Sequence, residues 1–354
     1  MLGRWKNNIL GVIKNTFNNW QGNKLLYIVE KKDWSIKQDG LAITEAINTC
    51  SPIKAKIGLS HWGARNQIIH FGSVNTFFQG DSWAKVHSSN KVVLTWFHVV
   101  PGDPRLEMIK EVQNDISIIH TSCKNTWYTL VEAGVDSRKI VVIPLGVDGT
   151  IFCEGTREDR VLVRKELGIP ENRIVIGSFQ KDGNGWGEGD EPKLIKGPDI
   201  FVKTIAHLRF CNPFVLLVGP ARGYVKKELD KLGIEYKHLY LDRLEDVARM
   251  YHALDFYVIS SRVEGGPKAI LEAWRCGVPV VSTKVGMVPD IATNHKDVVL
   301  ADIDDQALAW ACNDLLSDPE LAMTLKTNGQ QTARKYLWGR IVGRYYKEIY
   351  KGVL

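Results

Sequence analysis

The chain has 354 residues, 44% of them hydrophobic and 24% charged, the balance of an ordinary soluble globular protein rather than a disordered or fibrous one. At roughly 150 residues per domain that length suggests two domains, and no apolar run approaches the ~20 residues that a membrane span needs. The net charge of +6 is uneven: residues 1–152 hold 17 Lys and Arg against 12 Asp and Glu, while the rest is nearly balanced. An excess this small is no nucleic-acid footprint, so nucleic acid is not an expected partner, but it marks the first half as the one to meet an anionic surface. The six cysteines (Cys50, Cys123, Cys153, Cys211, Cys276, Cys312) are scattered, with no CxxC pair and no histidine cluster nearby. That argues against disulfides or a zinc site and favours a reducing, cytoplasmic compartment.

In chain order, residues 1–26 carry Arg4, Lys6, Lys14 and Lys24 with no acid before Glu30. Trp5, Ile9, Val12, Ile13, Phe17 and Trp20 fall near helical spacing, which suits either a helix packed on the first domain or one lying on an anionic membrane. Ile9–Ile13 is too short an apolar run for a signal peptide. Strands are then expected at Leu25–Glu30, Ala55–Leu59, Gln67–Phe71, Lys91–His98, Ile116–Thr121 and Ile140–Leu145, with amphipathic helices such as Pro104–Gln113 and Asn125–Gly134 between some of them. A polar stretch near Gly149–Arg160 marks the seam. The second half repeats the alternation: strands at Arg173–Phe179, Phe214–Gly219, Tyr236–Leu241, Phe256–Ser260, Val278–Thr283 and Val298–Ala301. Strand–helix alternation is the pattern of parallel α/β sheets, whose ligands bind at the carboxyl ends of the strands.

The most informative segment runs Ser260-Ser-Arg-Val-Glu-Gly-Gly-Pro-Lys-Ala-Ile-Leu-Glu-Ala-Trp-Arg-Cys-Gly-Val-Pro-Val-Val281. An apolar strand feeds the turn Gly265-Gly266, and Pro267 suits the first position of a helix. The amides of Lys268, Ala269 and Ile270 would then face an anion such as phosphate. Glu264 and Glu272 flank that anion site. Two carboxylates there make electrostatic sense if they accept hydrogen bonds from neutral hydroxyls, a ribose on one side and a sugar ring on the other. Glutamates that simply face solvent fit the same pattern equally well.

This segment resembles the E-x7-E signature of the retaining glycosyltransferases of family 4, the group 1 family. Lys139–Asp148 with Ile151-Phe152, Phe214–Gly219, Leu244–Ser261 and Trp338–Tyr350 extend the resemblance over roughly residues 90–350. The resemblance implies an α/β protein of GT-B fold: two Rossmann-like doubly wound parallel-sheet domains facing a cleft, with a C-terminal helix crossing back to the first. Residues 1–152 with 332–354 would form the acceptor side, and 153–331 the donor side.

By the same resemblance, Glu264 binds hydroxyls of the donor sugar, Glu272 the donor ribose, and Lys196 of Ile195-Lys-Gly-Pro-Asp199 the diphosphate. Gly266, Lys268, Ala269, Ile270 and Gly219 are implied as donor contacts, and His98 as the first domain's contribution at the sugar. His70 is a weaker candidate. The family's usual arginine after Gly177 is replaced by Ser178, so either Lys181 supplies the second positive charge beside the donor or one cation suffices. Residues 182–192 form a glycine-rich insertion, expected to be a mobile lid rather than a phosphate cradle because Glu188, Asp190 and Glu191 repel anions. The family's glycine-rich loop after the first strand is missing here, where Lys31–Gly40 stands. Asp302-Ile-Asp-Asp305 looks like a metal-binding pair but precedes a helix, where capping is the expected role.

The implied activity is metal-independent retaining transfer from a UDP- or GDP-sugar to a glycan or lipid-linked acceptor, with no cofactor. The alternatives are a GT-B protein that binds nucleotide sugar or glycan without turnover, and a nucleotide-sugar epimerase.

Overall fold

The structure is a computed structural model that describes residues 10–12, 14–16, 19, 22–31, 35–100 and 102–354. Much of the basic segment expected to meet a membrane lies outside those residues. Among the described residues, no helix is long and apolar enough to cross a membrane. The chain forms two compact units, residues 1–146 with 338–354, and residues 147–337.

The first unit holds six parallel strands: β1 (Leu25–Ile28), β2 (Ala55–Gly58), β3 (Ile68–Phe71), β6 (Lys91–Thr95), β7 (Ile118–Thr121) and β8 (Ile140–Val142). Their order is β2-β1-β3-β6-β7-β8. A small antiparallel pair, β4 (Phe78–Gln79) and β5 (Ser82–Trp83), was not expected from the sequence. β6 stops at Thr95 rather than at His98. Trp96 still donates to the carbonyl of His120 at 2.8 Å, but the flanking strands end at Phe71 and Thr121 and offer no further ladder.

The second unit holds β9 (Ile174–Phe179), β10 (Pro213–Val218), β11 (Tyr236–Leu239), β12 (Phe256–Ile259), β13 (Val280–Thr283) and β14 (Val299–Ala301), ordered β11-β10-β9-β12-β13-β14. Runs such as Pro213–Val218 and Val280–Thr283 are buried throughout, as strands covered on both faces by helices must be. Helix Pro198–His207 places Ile200, Phe201, Val202 and Ile205 against this sheet, and helix Asp305–Ser317 adds Leu308, Cys312 and Leu315.

The two sheets differ in topology. In the second, the chain moves outward from β9 to β11, then returns to β12 on the other side of β9. The strand order thus reverses between β9 and β12, and the crevice beyond their carboxyl ends is where such a sheet takes its ligand. In the first unit the reversal falls between β1 and β3.

Candidate functional site

β9 and β12 deliver their chain to that crevice through two loops tied together. The amides of Arg262 and Val263 both donate to the carbonyl of Ile195, at 2.9 and 3.0 Å. Ser260 donates from Oγ to the carbonyl of Gly197 at 2.9 Å. Arg262 holds Asp199 in a two-pronged ion pair at 2.7 and 2.6 Å. The approach is so close that a Cβ on Gly197, whose φ is +62°, would lie 1.9 Å from the Ser260 carbonyl oxygen. Only glycine fits there. This backbone contact sets Lys196 beside Glu264, with Nζ 2.5 Å from Oε1. Ser261 donates a second hydrogen bond to the same carboxylate oxygen at 3.0 Å.

The turn after Glu264 is fixed from behind. The amide of Met287 donates to the Gly265 carbonyl at 2.8 Å, and a Cβ on Gly286 would lie 2.5 Å from that oxygen. Gly266 and Pro267 follow, and the helix begins later than expected, at Ala269 with Lys268 as its N-cap. Ile270 is fully buried and its amide donates to the Pro267 carbonyl at 3.1 Å. The expectation that the Ile270 amide faces a ligand is therefore corrected: the tight first turn consumes it. Lys268 and Ala269 remain half-buried at the helix start.

One helical stretch further, Glu272 accepts a hydrogen bond from the hydroxyl of Tyr251 at 3.0 Å. Tyr251 is fully buried, and burial with the adjacent Glu272 charge holds its phenol well above the usual range, so it donates and stays neutral. It packs on Phe179 and Tyr257, with ring centroids 4.5 and 5.6 Å away. The Tyr257 hydroxyl clasps the backbone of Phe179, accepting from its amide at 2.8 Å and donating to its carbonyl at 3.0 Å. The sequence gives Tyr251 a matching position but no role, and nothing in it singles out Tyr257.

Ser178 is corrected as a donor contact. It is buried, and Arg222 donates to its hydroxyl at 3.0 Å and to its carbonyl at 2.6 Å. Arg222 comes from the turn after β10, where Ala221 adopts φ +56°, and it is itself fully buried. Its Nε lies 2.9 Å from Oδ1 of buried Asp182. An arginine thus does stand beside the end of β9, supplied from a different strand and neutralised by Asp182. Gly219, expected to touch the donor, has its backbone spent on β11. Its amide donates to the Leu239 carbonyl and its carbonyl accepts from His238 Nε2 at 2.8 Å. Its φ of +116° and the 2.7 Å from a built Cβ to the Gln180 carbonyl explain the glycine.

The insertion is also corrected. Gly183 pairs with Pro192, and Asn184 donates to the Glu191 carbonyl at 2.9 Å, so the segment closes as a hairpin. Its tip is seated on helix Gly223–Leu232, whose first amides donate to the carbonyls of Glu188 and Gly189 at 2.7 and 2.9 Å. Gly183 and Gly189 are packed so tightly that a Cβ on either would lie within 2.5 Å of neighbouring backbone. The acids meet Lys226 and Lys227 on that helix, Glu188 at 3.5 Å and Asp190 at 2.8 Å. Lys181, at one end of the hairpin, sets its ammonium 4.8 Å from the ring centre of Trp186.

In the first unit His98 is half-buried, three residues beyond β6, on the side of Asp103, which holds Arg105 at 2.6 Å. His70 is corrected as a site candidate. It is fully buried, with Nδ1 2.7 Å from the Tyr350 hydroxyl and Nε2 2.7 Å from Thr95 Oγ1. Asp304 caps helix Asp305–Ser317 through the amides of Gln306 and Ala307, and Asp302 pairs with Lys284 at 2.7 Å. Among the described residues, no three His, Cys, Asp or Glu side chains gather as a metal cluster.

Residues 192–332 match the family model described as glycosyl transferases group 1. Over 273 residues the chain is 29% identical to a D-inositol 3-phosphate glycosyltransferase of Corynebacterium urealyticum, covering 72% of this chain and 61% of that one. It is 26% identical over 219 residues to the enzyme of that name from Stackebrandtia nassauensis, covering 57% and 46%. The chain spans about half the length of the curated relatives it matches. Among solved structures, HepE of Anabaena in complex with UDP-glucose superposes with a TM-score of 0.75, at 18% identity over 93% of this chain and 99% of that one. Residues 192–332 are thus similar to the group 1 glycosyltransferases, and the chain folds as two Rossmann-like units of GT-B type.

Proposed function

We propose that this protein transfers a sugar, with retention of configuration, from a nucleoside-diphosphate sugar to a hydroxyl of a glycan or lipid-linked acceptor. The observation that carries the reading is the pairing of Lys196 with Glu264 at the strand-order reversal of the second unit, with Glu272 on the same loop–helix segment. A ligand that satisfies both partners of that pair must bring negative charge for the ammonium and hydroxyls for the carboxylate. A sugar joined to a diphosphate brings both, and the ribose hydroxyls of its nucleoside suit Glu272 as Tyr251 orients it.

As the glycosidic C–O bond breaks, charge builds on the diphosphate oxygen and the anomeric carbon becomes oxocarbenium-like. Lys196 is placed to stabilise that leaving group, the kind of preorganised electrostatic contribution that is worth about 10²–10³ in rate per donor. With lysines at the diphosphate, charge neutralisation needs no divalent ion. Same-face attack, with the departing phosphate taking the acceptor's proton, retains the anomeric configuration. Proton NMR of the first-formed product reads that directly, and inversion would refute the same-face step.

The donor reading is tested by a thermal-shift panel of UDP, GDP, ADP and dTDP. A nucleotide at about 100 times its dissociation constant stabilises the protein by roughly 2.7 kcal/mol, a shift of a few degrees. One member of the panel is expected to give that shift, and Glu272→Ala to lose most of it. No shift with any of the four would overturn the reading.

A further inference from the structure

We infer that Lys193 is a second diphosphate-binding cation of this site, held there by the 181–193 hairpin in place of an arginine on β9. The inference rests on the nucleotide-sugar reading above. The hairpin stem is closed by the Gly183–Pro192 pairing and by the amide of Lys193 donating to the Asp182 carbonyl at 2.7 Å. Lys181 and Lys193 therefore stand at the two ends of one stem. Lys193 is also the N-cap of the 3₁₀ turn Leu194–Lys196, and the amide of Lys196 donates back to its carbonyl at 2.8 Å. That bond closes one turn with Lys193 at its start and Lys196 at its end. Three lysines are thus gathered by backbone geometry, and the buried Asp182–Arg222 pair locks the stem that gathers them.

The arrangement is costly without an anion to bind. Lys196 faces Glu264, whereas Lys193 makes no ion pair among the described residues. Partial burial and then the charges of Lys196 and Lys181 push the Lys193 ammonium below the usual lysine range, against a smaller opposing pull from Glu264. Half-buried like charges held together by a closed hairpin are what a site for a multiply charged ligand requires. A diphosphate offers charge to two ammonium groups; a monophosphate does not span them equally. Lys193 is accordingly a specificity residue for the second phosphate.

The test is titration calorimetry of the full chain with the nucleoside diphosphate selected by the thermal panel and with its monophosphate. Lys193→Gln, Lys193→Arg and Lys181→Gln are compared with the wild type, each first checked for an unchanged melting temperature. Lys193→Gln is expected to weaken the diphosphate about tenfold or more, the worth of a charge-assisted contact, while leaving the monophosphate within about twofold. Lys193→Arg is expected to retain most of the diphosphate affinity. If Lys193→Gln weakens both nucleotides equally, or neither, the inference is overturned while the donor reading stands. If the wild type binds no nucleoside diphosphate, the donor reading falls and the inference falls with it.

Discussion

Arg222 donates to both the hydroxyl and the carbonyl of Ser178, at 3.0 and 2.6 Å, and so ties the turn after β10 to the end of β9. The guanidinium reaches its place fully buried, and the carboxylate that neutralises it, Asp182, stands in the stem of the hairpin next to Lys181. Burial pushes the Asp182 carboxyl up, against the pull of the arginine. One buried pair therefore fixes both the strand end and the segment that carries Lys181 and Lys193.

Removing one member of that pair leaves a buried charge uncompensated, which costs about 3–5 kcal/mol, while replacing both with apolar residues costs much less. Arg222→Met is expected to lose stability by that order in urea unfolding, and Arg222→Met with Asp182→Leu to regain much of it. Additive single effects would mean the two residues do not act as a pair.

Gly197 is the point where the two loops of the site touch. Gly197→Ala places a methyl at φ +62° against the Ser260 carbonyl, a strain of about 1–3 kcal/mol before the clash itself is counted. Its melting temperature should fall by several degrees, and any nucleotide-induced shift should fall with it, since Lys196 is the preceding residue. Gly339→Ala is the control: a Cβ there meets nothing within 4 Å in helix Trp338–Arg344. It should be neutral or slightly stabilising.

The first unit contains a buried network in which Thr95 Oγ1 lies 2.7 Å from His70 Nε2 and 3.0 Å from His120 Nδ1. His120 Nε2 also lies 2.9 Å from the Ile143 carbonyl oxygen. Burial lowers both imidazoles, His120 to about 4 and His70 well below its ordinary value. The unfolded chain, with histidines titrating near 6.5, then binds more protons than the folded one. Stability should be level above about pH 7 and should fall as the pH drops through 6.5 towards 4. Melting temperatures between pH 8 and 5 test this, and His120→Gln should flatten the slope. An unchanged slope in that variant would refute the assignment to His120.

All twelve strands of the two main sheets were legible because most are short apolar runs bounded by turn residues, the edge strands β2 (Ala-Lys-Ile-Gly) and β11 (Tyr-Lys-His-Leu) being the least apolar. The ends were less so: nothing in Trp96-Phe97-His98 announces that the neighbouring strands have already stopped. Glu264, Glu272 and Lys196 could be singled out because they stand in short contiguous motifs, Glu264 to Glu272 around Gly265-Gly266 and Lys196 beside Gly197, that carry the family resemblance. Arg222, Asp182, Tyr251 and Lys193 could not. Arg222, Asp182 and Tyr251 reach the site through contacts between segments far apart in the chain, Arg222 standing 44 positions from the serine it holds, and Lys193 through a hairpin closure that the sequence does not announce. The hairpin misled for a related reason: its acids suggest a lid that keeps anions away, whereas Glu188 and Asp190 pair with Lys226 and Lys227, and Gly183 and Gly189 are crowded by backbone, with Ala221 pressing on both.

The central claim is that Lys196 and Glu264 form the reacting end of a nucleotide-sugar site. The most direct measurement is the rate of nucleoside-diphosphate release from a panel of UDP- and GDP-sugars, with and without glycan acceptors, for wild type, Lys196→Gln and Glu264→Gln. The account predicts turnover of one donor by the wild type and a loss of about 10²–10³ in kcat for Lys196→Gln, with Glu264→Gln also strongly impaired. Wild-type turnover in both variants would contradict it.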